Sequence, residues 1–305
     1  MTFDQLLHRI ALDRGLERRE ARLLLACASG RAPEWLVAHG PDEPDEASVE
    51  RFVALADRRA RGEPIAYLTG VREFFGRPFA VTPAVLIPRA ETELLAGIAL
   101  LKIAGVASPR VLDLGTGSGV LAITLALEHP GAVVVASDIS TTALEVARGN
   151  AAALGAERIS FHAGDWWQAL DAVDRDFDLI VSNPPYVAAS DPHLSQGDLR
   201  FEPRHALVAG PHGDDDLRRL IAQAPAWLGE AGWLALEHGF EQGEHCRNLM
   251  QERGFRDVAT HADLEHRERV TAGRVRTRPE APSASPPAGG RRPRTGGAGS
   301  ATAAG

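Results

Sequence analysis

Between residues 111 and 275 short apolar runs alternate with stretches of helical length, and this alternation limits the possible folds more than any other feature of the chain. The runs are Val111 to Leu114, Val133 to Ser137, Ile159 to Ala163, Phe177 to Ser182 and Trp233 to Glu237. Helical stretches stand between or after them, at Val120 to Glu128, Thr141 to Leu154, Asp214 to Leu228 and Gln242 to Arg253. Continuous apolar strands need cover on both faces, and helices between them supply it, so the pattern reads as a mostly parallel α/β sheet. Two further runs, near Arg256 to Thr260 and Arg269 to Val275, read as a terminal hairpin.

The flanks differ. Residues 1–75 read as a small helical domain, with Phe3, Leu6, Leu7 and Ile10 at helical spacing and no β-rich run. Pro41 to Asp45 breaks it, and a helix follows from Ala47 to Arg61, stopping near Gly62. Phe79 to Pro88 reads as extended, because prolines break helix and β-branched residues favour strand. A helix then runs from Glu91 to Ala104. The α/β unit thus spans 76–275 with this connecting segment. Residues 276–305 are mostly Ala, Gly, Pro, Ser and Arg and read as a disordered tail, since they can bury little apolar surface.

Composition narrows the function. No run approaches the roughly 18 apolar residues that span a bilayer, and Met1 to Ile10 lacks the apolar core of a signal peptide. The expected location is the cytoplasm. Cys27 and Cys246 have no metal or redox spacing and read as reduced thiols in packed helices. The 11 His residues form no ligand pattern, so no metal site is expected. From Arg276 onward five Arg stand against one Glu, so the net charge of -8 conceals a more acidic body. Such a surface is a poor generic partner for a polyanion.

Two loops carry candidate chemistry. The first strand runs into Gly115-Thr116-Gly117-Ser118-Gly119, where glycines let the backbone turn tightly and approach a ligand. Alone, this is compatible with a structural turn. Asp138, ending the second strand, adds a carboxylate that can accept hydrogen bonds from ribose hydroxyls. A dinucleotide would satisfy the same logic, but the final G-x-x-G arrangement is missing. Leu112-Asp-Leu-Gly-Thr-Gly resembles the first motif of class I methyltransferases, which implies S-adenosyl-L-methionine. Asp165 and Trp166 end the third strand, an edge where a polar side chain can read adenine and an aromatic can pack against its ring, and Trp167 beside them reads as core packing.

The second loop, Asn183-Pro184-Pro185-Tyr186, ends the fourth strand. Its prolines fix the backbone and so aim the Asn183 side chain and the Pro184 carbonyl. Those two oxygens can each accept one N–H of a planar NH₂ group. This would orient a weakly nucleophilic amide nitrogen and stabilise positive charge growing on it. Tyr186 can pack on the flat amide.

Asn-Pro-Pro-Tyr is found in methyltransferases acting on adenine and on glutamine. Four other segments, Gly62 to Phe74, Leu86 to Glu93, His193 to Pro203 and Leu236 to Gly239, resemble the release factor glutamine methyltransferases. The resemblance runs to about Arg274. It implies a Rossmann-like seven-stranded methyltransferase domain over 76–275 and a helical domain over 1–75 that helps dock a peptide chain release factor. The implied reaction is N5-methylation of the glutamine in a Gly-Gly-Gln loop. The implied cofactor contacts are Gly115 to Gly119, Asp138, Trp166 and Asn183, with Asn183 to Tyr186 holding the glutamine. No nucleic acid or membrane partner is expected. Glutamine methylation of a ribosomal protein and adenine-N6 methylation of DNA are the competing readings.

The family usually has Pro-Arg-Pro before its Glu-Thr, and here Ala90 replaces the second proline. Arg89 and Glu91 could then be no more than a surface pair opening a helix. Asp191 to Pro203 reads as a lid over the bound glutamine.

Overall fold

The computed structural model describes residues 1–170 and 175–275; the segment read as a disordered tail lies outside the described residues. The chain opens with five helices: α1 (Phe3–Arg14), α2 (Arg18–Ser29), α3 (Pro33–Ala38), α4 (Glu46–Ala60) and α5 (Ile65–Thr69). Sequence-local caps set their ends. The Thr2 hydroxyl accepts the Gln5 N–H and the Gln5 side chain accepts the Thr2 N–H, a reciprocal cap at the start of α1. Asp45 caps α4 through the Ser48 N–H at 2.8 Å. Leu6, Leu24, Leu25 and Phe52 are fully buried where these helices meet.

A hairpin follows, β1 (Val71–Phe74) with β2 (Arg77–Ala80), antiparallel. Strand β1 falls among residues that the sequence reading took as helical. Three of its four side chains are exposed, so it carries no apolar pattern to reveal it. Cys27, read as packed, is exposed on α2; Cys246 is buried as expected.

The remaining elements are α6 (Ala90–Ile103), β3 (Arg110–Leu114), α7 (Val120–Glu128), β4 (Val133–Asp138), α8 (Thr141–Leu154), β5 (Ser160–Ala163), β6 (Phe177–Ser182), α9 (Asp215–Gln223), β7 (Leu228–Glu237), α10 (Gly243–Glu252), β8 (Arg256–Ala262) and β9 (Glu268–Arg274). The seven strands β3 to β9 form one sheet in the order β5-β4-β3-β6-β7-β9-β8. Pairing is parallel from β5 through β7 and antiparallel at β9 and β8.

Strand residues alternate between the two faces. Val111, Leu179 and Val181 pack with α6 and α7, while Leu112, Leu114 and Ile180 pack with Leu217 and Leu220 of α9 and Met250 of α10. Helix α9 ends before the Leu228 expected from the sequence. Pro225 cannot continue an α-helix, so the chain passes through a 3₁₀ turn, Ala224–Ala226, into a longer β7.

Strands β3 and β6 are neighbours, yet β3 leads to α7 on one face and β6 leads to α9 on the other. Their carboxyl ends therefore flank a crevice, the place where sheets of this kind bind ligands. Both candidate loops open into it.

Candidate active site at the carboxyl edge of the sheet

The glycine loop is fixed by the backbone of β4. The N–H groups of Gly115 and Thr116 both donate to the Ser137 carbonyl at 2.9 Å. Beneath the loop, fully buried Asp113 accepts the Thr116 hydroxyl at 2.6 Å and the Ala122 N–H at 3.2 Å. Burial pushes its carboxyl up to about 7. One edge of the loop faces Asp138, whose Oδ2 accepts the Gly117 N–H and whose Oδ1 accepts the Ser140 N–H, each at 2.9 Å. These contacts leave further acceptor capacity on both carboxylate oxygens.

A cavity of about 250 Å³ spreads over this edge. Gly115, Thr116, Gly117, Ser118, Asp138, Trp166 and Asn183 all line it. A Cβ built at Gly117, where φ is +55°, would meet nothing within 4 Å, so the missing side chain leaves open space above the backbone. Gly119 stands apart from the wall. It caps α7, and its Cβ would fall 2.9 Å from Ile123 and 3.2 Å from Ala147, so glycine there serves helix packing.

Trp166 has a backbone φ of +50°, rare for a bulky residue. Its indole N–H donates to Asp216 at 3.0 Å, and Asp165 beside it pairs with Arg219 at 2.8 Å. These four residues close one end of the cavity. Trp167 is in the core, stacked on Trp227. A carboxylate, a flat aromatic wall with exposed Ile139 nearby and an open glycine backbone suit a nucleoside that carries a short polar chain.

The second loop meets the first through Ser182, whose hydroxyl donates to the Leu114 carbonyl at 2.6 Å. Asn183 reaches the cavity wall. Its Nδ2 donates to the Thr92 hydroxyl at 3.0 Å, and that hydroxyl donates to Glu237 Oε2 at 2.7 Å. Pro185 also lines the cavity, whereas Pro184 and Tyr186 lie beside it. The Tyr186 hydroxyl donates to Glu237 Oε1 at 3.4 Å. Among the described residues, neither Asn183 Oδ1 nor the Pro184 carbonyl accepts a hydrogen bond. Glu237 is fully buried, and burial pushes its carboxyl up to about 7. Thr92 and Glu237 sit in segments that carried the family resemblance, but sequence gave them no role.

Arg89 and Glu91 do not pair with each other. Arg89 bonds Glu202, and Glu91 lies 3.5 Å from Arg269. Glu202 belongs to the segment read as a lid, and its other oxygen accepts the Ile87 N–H at 3.2 Å. The same segment bonds the helical domain through Arg59 to Asp198 at 3.3 Å and Arg200 to the Arg61 carbonyl at 2.7 Å.

Residues 92–198 match the Methyltransferase small domain family, and residues 5–70 match the PrmC N-terminal domain. A release factor glutamine methyltransferase of Bordetella pertussis is 50% identical over 268 residues, covering 88% of this chain and 98% of that one. One from Neisseria gonorrhoeae is 49% identical over 274 residues, covering 90% and 98%. Among solved structures, the hMettl16 catalytic domain in complex with MAT2A 3'UTR hairpin 6 gives a TM-score of 0.52 at 16% identity, covering 72% of this chain and 81% of that one. A methyltransferase from Pyrococcus furiosus gives 0.50 at 16% identity, covering 72% and 99%. At such identities the structural likeness is one of fold alone.

Proposed function

The chain belongs to the release factor glutamine methyltransferases, and we propose from that membership that Asn183 to Tyr186 hold the substrate glutamine at the cavity described above. The enzyme is an S-adenosylmethionine-dependent protein-(glutamine-N5) methyltransferase acting on peptide chain release factors, at the glutamine of their Gly-Gly-Gln loop. Bound in the cavity, S-adenosylmethionine supplies an electrophilic methyl group.

The residues present fit that cofactor. The open backbone of Gly115 to Ser118 receives its amino acid end, Asp138 accepts the ribose hydroxyls, and Trp166 packs against adenine. The observation that carries the substrate reading is the state of Asn183. Its NH₂ is occupied by Thr92, so its oxygen is left to accept a donor at the wall of the cavity. That oxygen and the Pro184 carbonyl accept the two N–H groups of the glutamine side chain. Because the two prolines hold both acceptors rigidly, the amide nitrogen is oriented before it reacts. The same acceptors stabilise the positive charge that grows on nitrogen as the N–C bond forms. Tyr186 packs on the flat amide. No ionised base is needed beforehand, since the extra proton on the product nitrogen passes to water.

In this reading the helical domain docks the release factor, and Asp191 to Pro203 closes over the glutamine. No described helix is long and apolar enough to cross a membrane, and we place the reaction in the cytoplasm, where translation termination occurs.

A methyl-transfer assay with radiolabelled S-adenosylmethionine tests the assignment. Label should enter a wild-type release factor, not a factor with Gln→Ala in its Gly-Gly-Gln loop. Asn183→Ala enzyme should lose at least about 100-fold in kcat. Equal labelling of both factors would overturn the substrate site.

A further inference from the structure

Thr92 opens α6, Asn183 follows β6 and Glu237 ends β7, so three separate elements meet at one chain of hydrogen bonds. The direction of that chain is not free. A threonine hydroxyl has a single proton, and here it goes to the Glu237 carboxylate. The Thr92 oxygen can then only accept from Asn183, and only the Asn183 NH₂ can supply the donor. Rotating the Asn183 amide by half a turn would set its oxygen against the Thr92 oxygen with no proton between them. To relieve this, Thr92 would have to turn away from Glu237 and leave a fully buried carboxylate oxygen unpaired.

We propose that Thr92 and Glu237 are positioning residues for methyl transfer: Glu237 takes the Thr92 proton, and Thr92 thereby holds the Asn183 amide with its oxygen toward the substrate. This rests on the reading that Asn183 receives the glutamine. Neither residue need touch the reacting nitrogen. The same carboxylate also accepts the Tyr186 hydroxyl, so one buried group sets both ends of the Asn183 to Tyr186 loop.

The ionised form of Glu237 is the one that fixes the direction. A protonated Glu237 could donate to Thr92 and free the threonine proton for the Asn183 oxygen, which permits the inverted amide. The groups facing Glu237 are Thr92 and Glu91 from α6, Tyr186 beyond β6 and Arg269 from β9. His238, next along the chain, turns to Thr271 and the Gly239 carbonyl.

Three variants separate positioning from packing. Thr92→Val keeps the shape of the side chain and removes the hydroxyl; Thr92→Ser keeps the hydroxyl. Glu237→Gln keeps the shape and offers Thr92 a donor. We expect Thr92→Val and Glu237→Gln to lower kcat by about 100-fold, with cofactor affinity measured by calorimetry within about threefold of wild type. Thr92→Ser should recover to within about fivefold of wild type. The wild-type kcat should fall on the acid side as Glu237 takes up a proton, and this limb should be absent in Glu237→Gln.

Wild-type kcat in Thr92→Val, no recovery in Thr92→Ser, or an acid limb surviving in Glu237→Gln would each overturn the assignment. A loss of cofactor affinity as large as the loss of kcat would make the pair structural and overturn it too. If the wild-type enzyme and Asn183→Ala behave as the substrate reading requires while Thr92→Val is fully active, this inference alone fails. If the wild-type enzyme methylates no release factor, the underlying reading fails and takes the inference with it.

Discussion

Gly115 has a backbone φ of +74°, and a Cβ there would stand 3.2 Å from the Trp166 ring. A side chain at this position meets two obstacles, a left-handed backbone and an aromatic wall. Gly115→Ala should therefore cost about 1–2 kcal/mol in a denaturation experiment. It should also weaken cofactor binding at least about tenfold by calorimetry, because the new methyl group presses on the Trp166 ring that lines the cavity. Glu237 leaves a second signature, in stability. Its carboxyl titrates near 4.5 in the unfolded chain and near 7 when folded, because burial disfavours the charge. Between those values the folded state holds a proton that the unfolded state has released. Stability is thus lost as pH rises from about 4.5 to about 7 and is level above that. Glu237→Gln should remove a slope worth up to about 3 kcal/mol, read as a flatter denaturation midpoint from pH 5 to 8. The corresponding contribution of Asp113, also raised to about 7, would remain.

The segment Asp191 to Pro203 holds two short 3₁₀ turns, Pro192–Ser195 and Leu199–Phe201, and is fixed by its attachments. Its inner end is Glu202, whose side chain is fully buried and bonds both the Arg89 side chain and the Ile87 N–H. Glu202→Ala would leave the Ile87 N–H without its acceptor, at a cost of about 1–3 kcal/mol. Limited trypsin digestion should then cut faster at Arg200, where the segment otherwise rests on the helical domain. Sequence revealed elements whose signal is local. Val120–Glu128, Thr141–Leu154 and Phe177–Ser182 have the bounds that their apolar runs announced. Strand β1 escaped because its exposed residues carry no pattern, and the early part of β7 escaped because Gly229, Glu230 and Ala231 bend the strand without an apolar run. The wall residues of the glycine loop were readable from motif and strand position. The Thr92–Glu237 contact was not, since it joins residues 145 apart and nothing in either segment marks the other.

At the scale of the molecule, the helical domain, the segment Asp191 to Pro203 and the cavity edge form one connected path. Arg59 bonds Glu20 within the helical domain and Asp198 in that segment, and the segment reaches the cavity wall through Glu202 and Arg89. The Arg59–Asp198 pair, with Asp198 about half exposed, contributes little stability, so the path is weakest there, while its buried Glu202 end is firmly held. The sheet order has a consequence for synthesis. Strand β9 lies between β7 and β8, although it is the last described strand of the chain. While the chain is being made, β7 has no partner on that side until residue 274 emerges. At roughly 5–20 residues per second the interval after residue 237 lasts about 2–7 s. Throughout it an apolar strand edge is open to pairing with other chains. The nascent chain is therefore prone to aggregate in the interval before β9 emerges, when the site residues of β3, β6 and β7 already exist and the strand that seals them is missing.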